Sequence, residues 1–177
     1  MSQAPVALQE LVAYLDQYLR IQEVPDDANA LNGLQVENGG SVTRLVAAVD
    51  ASQKTIDGLG AAAPGCMLLV HHGLFWDGNQ PVVGRRYRRI RGLLQRDAAL
   101  YAAHIPLDLH PEVGNNAVLA HQLGLTATEW FGQHKGTLIG VAGATPPELR
   151  SRERLILALG HILAIPTAAI RSIPGSS

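Results

Sequence analysis

Two groups of histidine and aspartate residues follow apolar runs that are typical of buried strands. His71 and His72 come at the end of the run 66–70. The second group comes after the run 98–103 and consists of His104, Asp108 and His110. In open α/β sheets, ligands bind in the crevice outside the carboxyl ends of the strands, so we expect the two groups to form one shared metal site. Imidazole and carboxylate ligands suit Zn, Mn, Fe or Ni, and the lack of thiolates disfavours a cysteine-based structural zinc site.

The spacing of these residues limits how they can share metal ions. Neighbouring side chains of a regular strand point to opposite faces, so His71 and His72 cannot both face one ion within the strand. At the strand end they can diverge toward two neighbouring ions, which Asp108 could bind or bridge. His104 and His110 are further candidates, either as ligands or as residues that orient the ligands. The alternative is that each histidine is a separate loop or core residue with its own protein partners.

Alternating strands and helices are predicted around these groups. The spacing of apolar residues predicts an amphipathic helix over 6–19, with Pro5 suited to its first turn. The apolar runs 45–49, 66–70 and 98–103 are predicted to be strands. Ser52 is predicted to cap a short helix between the first two of these strands. The alternation indicates βαβ units, and therefore an α/β fold with a largely parallel sheet flanked by helices.

We expect two parts in the chain. Residues 1–125 form the α/β domain that carries the metal site, and residues 126–177 form a partial second segment that leads into a missing C-terminal part. Four local elements are predicted near and beyond this boundary: a helix capped by Asn115 or Asn116, a strand over 137–141, a helix opened by a capping box at 145–148, and a last strand over 167–170.

The densest charge cluster is the run 85–91, which contains five arginines in seven residues. It overlaps a helix predicted over 87–96 with Ile90, Leu93 and Leu94 facing inward. The arginines could form the solvated face of this helix, bind the phosphates of a nucleotide near the metal site, or bind nucleic acid. Of these, nucleic acid is the least favoured.

The composition excludes several classes of protein. The 177 residues are 47% hydrophobic and 16% charged, with a formal net charge of −1, which argues against nucleic-acid binding by bulk electrostatics. No apolar stretch approaches the ~20 residues that span a bilayer, and the N-terminal residues lack the pattern of a signal peptide. We therefore expect a cytoplasmic protein without a membrane segment. The single cysteine, Cys66, lies in an apolar run and is predicted to be a buried structural thiol.

Two stretches of the sequence resemble the YbgI-like dinuclear-metal family, whose members are often labelled GTP cyclohydrolase I type 2 homologs. They are Val-His-His-Gly-Leu-Phe-Trp at 70–76 and His-Ile-Pro-Leu-Asp-Leu-His-Pro-Glu-Val-Gly-Asn-Asn at 104–116. The turn at 32–36 and the residues 51–53 also match. The chain is similar to this family from about residue 32 to 125, and more weakly to about residue 170.

The resemblance implies a ligand set and an assembly. It implies that His71 and His72 bind two metal ions and that Asp108 is a carboxylate ligand near His104. It also implies a pair of α/β domains assembled into a ring-shaped homohexamer, with the metal sites facing an internal cavity. In this family a C-terminal segment adds a His and a Glu about one helical turn apart, and no match to it precedes Ser177. The chain is thus expected to be a fragment of a longer protein or to have an incomplete site.

Two functions follow from these expectations. The first is a metal-dependent hydrolase that acts on a small, nucleotide-like substrate, for example by hydrolytic ring opening of a purine-type base. Phe75 and Trp76, just after the histidine pair, could wall the substrate pocket, although core packing explains them equally well. The second is a non-catalytic metal-binding or scaffold subunit that acts through protein partners.

Overall fold

The computed structural model describes residues 4–60 and 65–173. The chain divides into two compact units, Met1–Asp108 and Leu109–Ser177. The domain boundary expected after residue 125 stays a prediction. In the first unit the elements are, in chain order, β1 (Val6–Ala7), α1 (Leu8–Tyr18), β2 (Gly33–Val36), β3 (Ser41–Val42), β4 (Arg44–Asp50), α2 (Gln53–Gly58), β5 (Cys66–His72), α3 (Gly84–Gln95), β6 (Ala98–Ala102) and α4 (Ile105–Asp108).

A four-stranded sheet in the order β2-β6-β5-β4 organises the first unit. β4, β5 and β6 are parallel, as the alternation of strands and helices predicted, and the α/β class is confirmed. The sheet is mixed rather than largely parallel, because the edge strand β2 pairs antiparallel with β6. An antiparallel strand at the edge of an otherwise parallel sheet is common, and it requires no crossover helix.

Both faces of the central strands are buried, which explains their unbroken apolar sequences. On one face, Leu68 and Leu100 pack with Ile56 of α2 and Leu93 of α3. On the other face, Met67, Ala99 and Tyr101 pack with Leu8 and Leu15 of α1, in a cluster completed by residues of the flanking loops and strands. Burial raises the pKa of the Cys66 thiol, which is fully buried on β5. The prediction of a buried structural cysteine is confirmed.

Two residues were predicted at the starts of helices in the first unit, and the structure confirms Ser52 but not Pro5. Ser52 caps α2, since its Oγ accepts the Thr55 N–H at 3.1 Å. Pro5, however, lies before α1 rather than in its first turn, because residues 6–7 pair as β1 with β3. The strand pairing therefore sets where the first helix begins.

The second unit contains a β-hairpin and two helices. Its elements are α5 (Asn115–Gln122), β7 (Thr126–His134), β8 (Thr137–Ala144) and α6 (Arg152–Ile162). β7 and β8 pair antiparallel through a two-residue turn at Lys135 and Gly136. Both turn residues have positive φ, 46° and 84°, which is the requirement of a type I′ hairpin turn. The predicted strand over 137–141 is thus confirmed as part of β8, and β7 was not predicted.

Three other predictions in the second unit are wrong. The N-cap of α5 is Gly114, while the Asn116 side chain instead donates to the Ile139 carbonyl at 2.6 Å. The box at 145–148 starts only a 3-10 turn, Pro147–Leu149, and Pro146 is held extended by the proline that follows it. The α-helix α6 begins later and is capped by Ser151. Residues 167–169 form a single 3-10 turn rather than a strand.

Among the residues described, no helix combines the length and the apolar character that crossing a membrane requires.

Leu93 and Leu94 provide a matched test of the core of the first unit. Both were predicted to face inward, but Leu93 is fully buried and Leu94 is 60% exposed, since Ile90 and Leu93 share one face of α3 and Leu94 lies about 100° further round. We expect Leu93→Ala to lower the free energy of unfolding by about 2–5 kcal/mol in urea titrations. Leu94→Ala should change it by less than about 0.5 kcal/mol. Equal losses in the two variants would contradict this packing.

Candidate metal centre

The carboxyl ends of β5 and β6 place three histidines at one edge of the sheet. His71 and His72 are the last two residues of β5. Beyond β6, the Ala103 N–H donates to the Val70 carbonyl at 2.9 Å and continues the parallel ladder by one residue. His104 comes next, and its backbone N–H donates to the Asn32 side-chain oxygen at 2.8 Å. The strand pairing therefore fixes the backbone of all three histidines.

The three imidazole rings converge. One ligand nitrogen from each of His71, His72 and His104 lies within 4.8 Å of the other two. The three ring centroids form a triangle, with His71 4.6 Å from His72 and 4.7 Å from His104, and His72 5.6 Å from His104. Asp108, on α4, brings its Oδ2 to 3.6 Å from Nε2 of His71. The cluster could hold one metal ion. His71 and His72 approach each other from within β5, contrary to the expectation that they cannot face one ion inside the strand. Their divergence toward two ions stays a prediction.

Each of the three rings is oriented by an oxygen at its Nδ1. Nδ1 of His71 lies 3.1 Å from the Ala103 carbonyl oxygen. Nδ1 of His72 lies 2.8 Å from Oδ1 of Asp50, and Nδ1 of His104 lies 3.0 Å from Oδ1 of Asp26. A carbonyl or a carboxylate can only accept, so Nδ1 carries the proton in each hydrogen bond. In a neutral imidazole this leaves the lone pair on Nε2, which is the arrangement found in histidines that bind metals.

The electrostatics of His71 favour its metal-binding form. Burial lowers the pKa of His71 because desolvation penalises the charged ring, and the nearby Asp108 carboxylate opposes this effect only in part. A neutral ring is the form that can donate a lone pair to a metal. His71 therefore needs little deprotonation before it can bind an ion near neutral pH.

Asp26 is the more enclosed of the two orienting carboxylates, with a side chain that is 5% exposed. Burial raises its pKa, but hydrogen bonds outweigh this effect and hold the pKa of Asp26 below its usual value. The donors are the Asn32 amide, the His104 ring and the backbone N–H groups of Ile105 and Asp27. The carboxylate thus remains ionised and ties the His104 loop to the loop at 26–32. Asp50, by contrast, is 61% exposed, so water screens its interaction with His72.

Gly73 allows the chain to turn directly after the histidine pair. A Cβ at this position would overlap the side-chain amide of Gln35. That amide accepts the Leu74 N–H at 2.9 Å and donates to the carbonyls of Ala30 and Leu31, both at 3.0 Å. Gly73 is therefore required by close packing against Gln35, and this contact fixes the chain that leaves the site.

A crevice of about 500 Å³ opens at the cluster. It is lined by Asp50, Ala51, Ser52, His72, Gly73, Trp76, Arg89 and His104. The Trp76 ring meets the His104 ring edge to face, with centroids 4.7 Å apart, and forms one wall. This volume lies in the range of small-molecule sites.

The structure groups four of the five residues proposed from the sequence: His71, His72, His104 and Asp108. His110 belongs to the second unit, where it is buried and its Nδ1 accepts the N–H groups of Glu112 and Val113, both at 3.2 Å. The role proposed for His110 at the metal stays a prediction. Sequence reasoning missed Asp26 and Asp50. Asp50 ends the strand beside β5, so the strand-end rule could have found it, whereas Asp26 lies in a loop with no such signal.

Comparison with known proteins identifies the family to which this α/β chain belongs. A family model described as Duf34/NIF3 (NGG1p interacting factor 3) matches residues 6–173. The chain belongs to the Duf34/NIF3 family, and the resemblance seen in the sequence is confirmed.

Relatives and solved structures agree with this assignment. The GTP cyclohydrolase 1 type 2 homolog of Deinococcus radiodurans is 50% identical over 141 residues, which cover 79% of this chain and 52% of that protein. The crystal structure of TTHA1606 from Thermus thermophilus matches 90% of this chain and 62% of its own, at 41% identity and a TM-score of 0.77. Protein ybgI, described as of unknown function, matches 72% of this chain and 50% of its own, at 40% identity and a TM-score of 0.62. The chain spans about half the length of the curated relatives it matches.

The Asp26–His104 contact can be tested by metal affinity. In Asp26→Asn, a neutral amide oxygen replaces the carboxylate, so His104 is oriented more weakly and its Nε2 becomes less basic. We expect the affinity for Zn²⁺, measured by competition with a chromogenic chelator, to fall about tenfold. Asp57→Asn, which removes one charge on α2, is the control and should leave the affinity unchanged. Wild-type affinity in a folded Asp26→Asn variant would show that this contact does not support metal binding.

Proposed function

We propose that this protein is a metal-dependent hydrolase that acts on a small, nucleotide-like substrate. The observation that supports it most directly is the convergence of His71, His72 and His104, each with Nδ1 engaged by an oxygen. The names of the curated relatives support the same class of reaction. Zn, Mn, Fe and Ni all suit three imidazoles and a carboxylate, and a second ion belongs to this proposal for the whole protein.

The residues of the site have distinct tasks in such a reaction. A divalent ion in this position supplies a Lewis acid that activates water for attack on the substrate. His71, His72 and His104 would hold the ion through Nε2, and Asp108 lies close enough to His71 to add a negative charge beside it. Asp26, Asp50 and the Ala103 carbonyl keep the three rings in place. Trp76 lines one side of the crevice, where its ring contacts His104.

A scaffold role is the second candidate, and one surface favours it. Leu45 and Val49 lie on β4, the strand at the sheet edge, and they are 53% and 64% exposed. Apolar side chains on an edge strand are typical of a surface that pairs with another chain. The ring-shaped homohexamer implied by the resemblance and a cytoplasmic location belong to both proposals. In this role the metal would stabilise the subunit without turnover.

Elemental analysis and turnover together test the leading proposal. Purified wild-type protein should retain a divalent transition metal, at fewer than two ions per chain, and a His71→Ala/His72→Ala double variant should lose it. The matched control is His121→Ala/His161→Ala, which removes two exposed imidazoles from the helices α5 and α6. The control should retain the metal.

Hydrolysis of GTP at saturating Mn²⁺ or Zn²⁺ separates the two candidates. The enzyme proposal expects slow metal-dependent turnover, because the further His and Glu ligands that the resemblance implies have no match before Ser177. This turnover should be lost in the His71→Ala/His72→Ala variant and kept in the control. Metal retention without turnover on GTP or on related nucleotides would favour the scaffold role. Equal and negligible metal in all three proteins would contradict both candidates.

A further inference from the structure

A second groove, of about 540 Å³, adjoins the crevice at the histidine cluster. It is lined by Gly73, Leu74, Trp76, Asp77, Gln80, Pro81, Val83, Arg85, Arg86 and Arg89. Gly73, Trp76 and Arg89 line both cavities, so the two meet at these three residues. The arginine-rich run of the sequence is thus placed beside the candidate metal centre.

The Arg86 side chain makes several hydrogen bonds within the protein. Its guanidinium donates to the Asp77 carboxylate and to the carbonyls of Gly78 and Gln80, at 2.7 and 2.9 Å. It also lies over the Phe75 ring, 5.4 Å from the centroid. Arg86 therefore holds the loop at 77–80 through Nη1 and Nη2, while its Nε is shielded and has no hydrogen-bond partner among the described residues.

Arg85 and Arg89 also line the groove. They lie four residues apart on α3, so their positive charges lie on the same helix face. Nε of Arg89 is shielded from solvent and has no hydrogen-bond partner among the described residues. Burial lowers the pKa of Arg89, and the charge of Arg85 lowers it further, while Asp50 and Asp77 oppose this. A shielded N–H without a partner is costly, and an anion that accepts a hydrogen bond from it would remove this cost.

Trp76 adds a second unmet donor at the junction. Its indole N–H is shielded and likewise lacks a partner among the described residues. The same ring borders the histidines, with centroids 4.7 Å from His104 and 6.0 Å from His72. A ligand that extends from the histidine crevice into the groove would pass Trp76 and reach Arg89.

We propose that this groove binds the phosphate group of a phosphorylated substrate, with Arg89 as the main contact and Arg85 as the supporting charge. A planar guanidinium can donate to two phosphate oxygens at once, and such charge-assisted hydrogen bonds are stronger than bonds between neutral groups. The uncharged part of the substrate then lies against Trp76 and the histidines. The inference rests on the proposed function for the reacting end of the substrate, whereas phosphate binding in the groove does not depend on it.

Titration calorimetry with inorganic tripolyphosphate tests the groove alone. The full chain is first freed of metal with a chelator, because tripolyphosphate would otherwise bind the metal, and circular dichroism confirms that each variant is folded. We expect the wild-type protein to bind tripolyphosphate, and Arg89→Gln to raise the Kd about tenfold or more. Arg89→Lys, which keeps the charge and loses the planar fork, should give an intermediate loss.

Arg88→Gln is the matched control, because it removes the same charge from the same helix at a position that lines neither cavity. Its Kd should stay within about twofold of the wild type. Equal weakening in Arg88→Gln and Arg89→Gln would mean diffuse attraction to a basic surface and would overturn the proposal, as would a wild type that does not bind. If tripolyphosphate fails to bind while metal-dependent hydrolysis persists, only this inference falls. If it binds while hydrolysis is absent, the groove stands and the hydrolase proposal falls.

Discussion

The parallel pairing of β5 with β6 is the constraint on which the site depends. Val70 is in register with Ala102, so the two strands end side by side, and the residues that follow each end are brought together. Both strands are apolar on both faces, and α1 covers one face while α2 and α3 cover the other. A shift of one residue in either strand would move its buried side chains to the opposite face. Core packing therefore fixes the register, and the register fixes the separation of the histidines.

Hydrogen bonds donated by Nδ1 orient each imidazole ring on this backbone. The strand ends fix the backbone of each histidine, but an imidazole can still rotate about its side-chain torsions. The Ala103 carbonyl and the carboxylates of Asp26 and Asp50 restrict these rotations and select the tautomer. They differ in strength, because Asp26 is enclosed and Asp50 faces solvent. His104 is thus held more firmly than His72, and His72 is the ring with more freedom to adjust to an ion.

The sequence predicted the parts of this site that local patterns encode. Apolar runs followed by His71, His72 and His104 indicated strand ends, and the rule that ligands bind at strand ends brought them together. The antiparallel direction of β2 could not be predicted from the sequence, because its partner β6 lies more than sixty residues away and β2 has only four residues. Asp26 was not predicted as a site residue for a similar reason. Its contact with His104 spans 78 positions, and nothing in its polar loop indicates such a contact. Only the folded chain shows such a pair.

Other features that were not predicted do have a signal in the sequence. The two residues Lys135 and Gly136 separate β8 from a segment rich in β-formers, which is the pattern of a hairpin, so β7 was within reach. The sequence predicts Asn115 or Asn116 as the cap of α5, but the Asn116 amide donates to the distant Ile139 carbonyl. Asparagine favours caps because its side chain can bind nearby backbone, and a distant carbonyl can compete for the same group. Such competition is decided by packing, which propensity does not describe.

The coordination of a bound ion is the most direct test that His71, His72 and His104 form a metal centre. X-ray absorption spectroscopy on the chain loaded with one equivalent of Zn²⁺ measures the ligand atoms and their distances. We expect a first shell of nitrogen and oxygen at about 2.0–2.1 Å, with the outer-shell scattering of about three imidazole rings. The imidazole signal should fall in a His104→Ala variant. A shell made only of oxygen, or an imidazole signal that is unchanged in that variant, would contradict the assignment of these three histidines as the metal ligands.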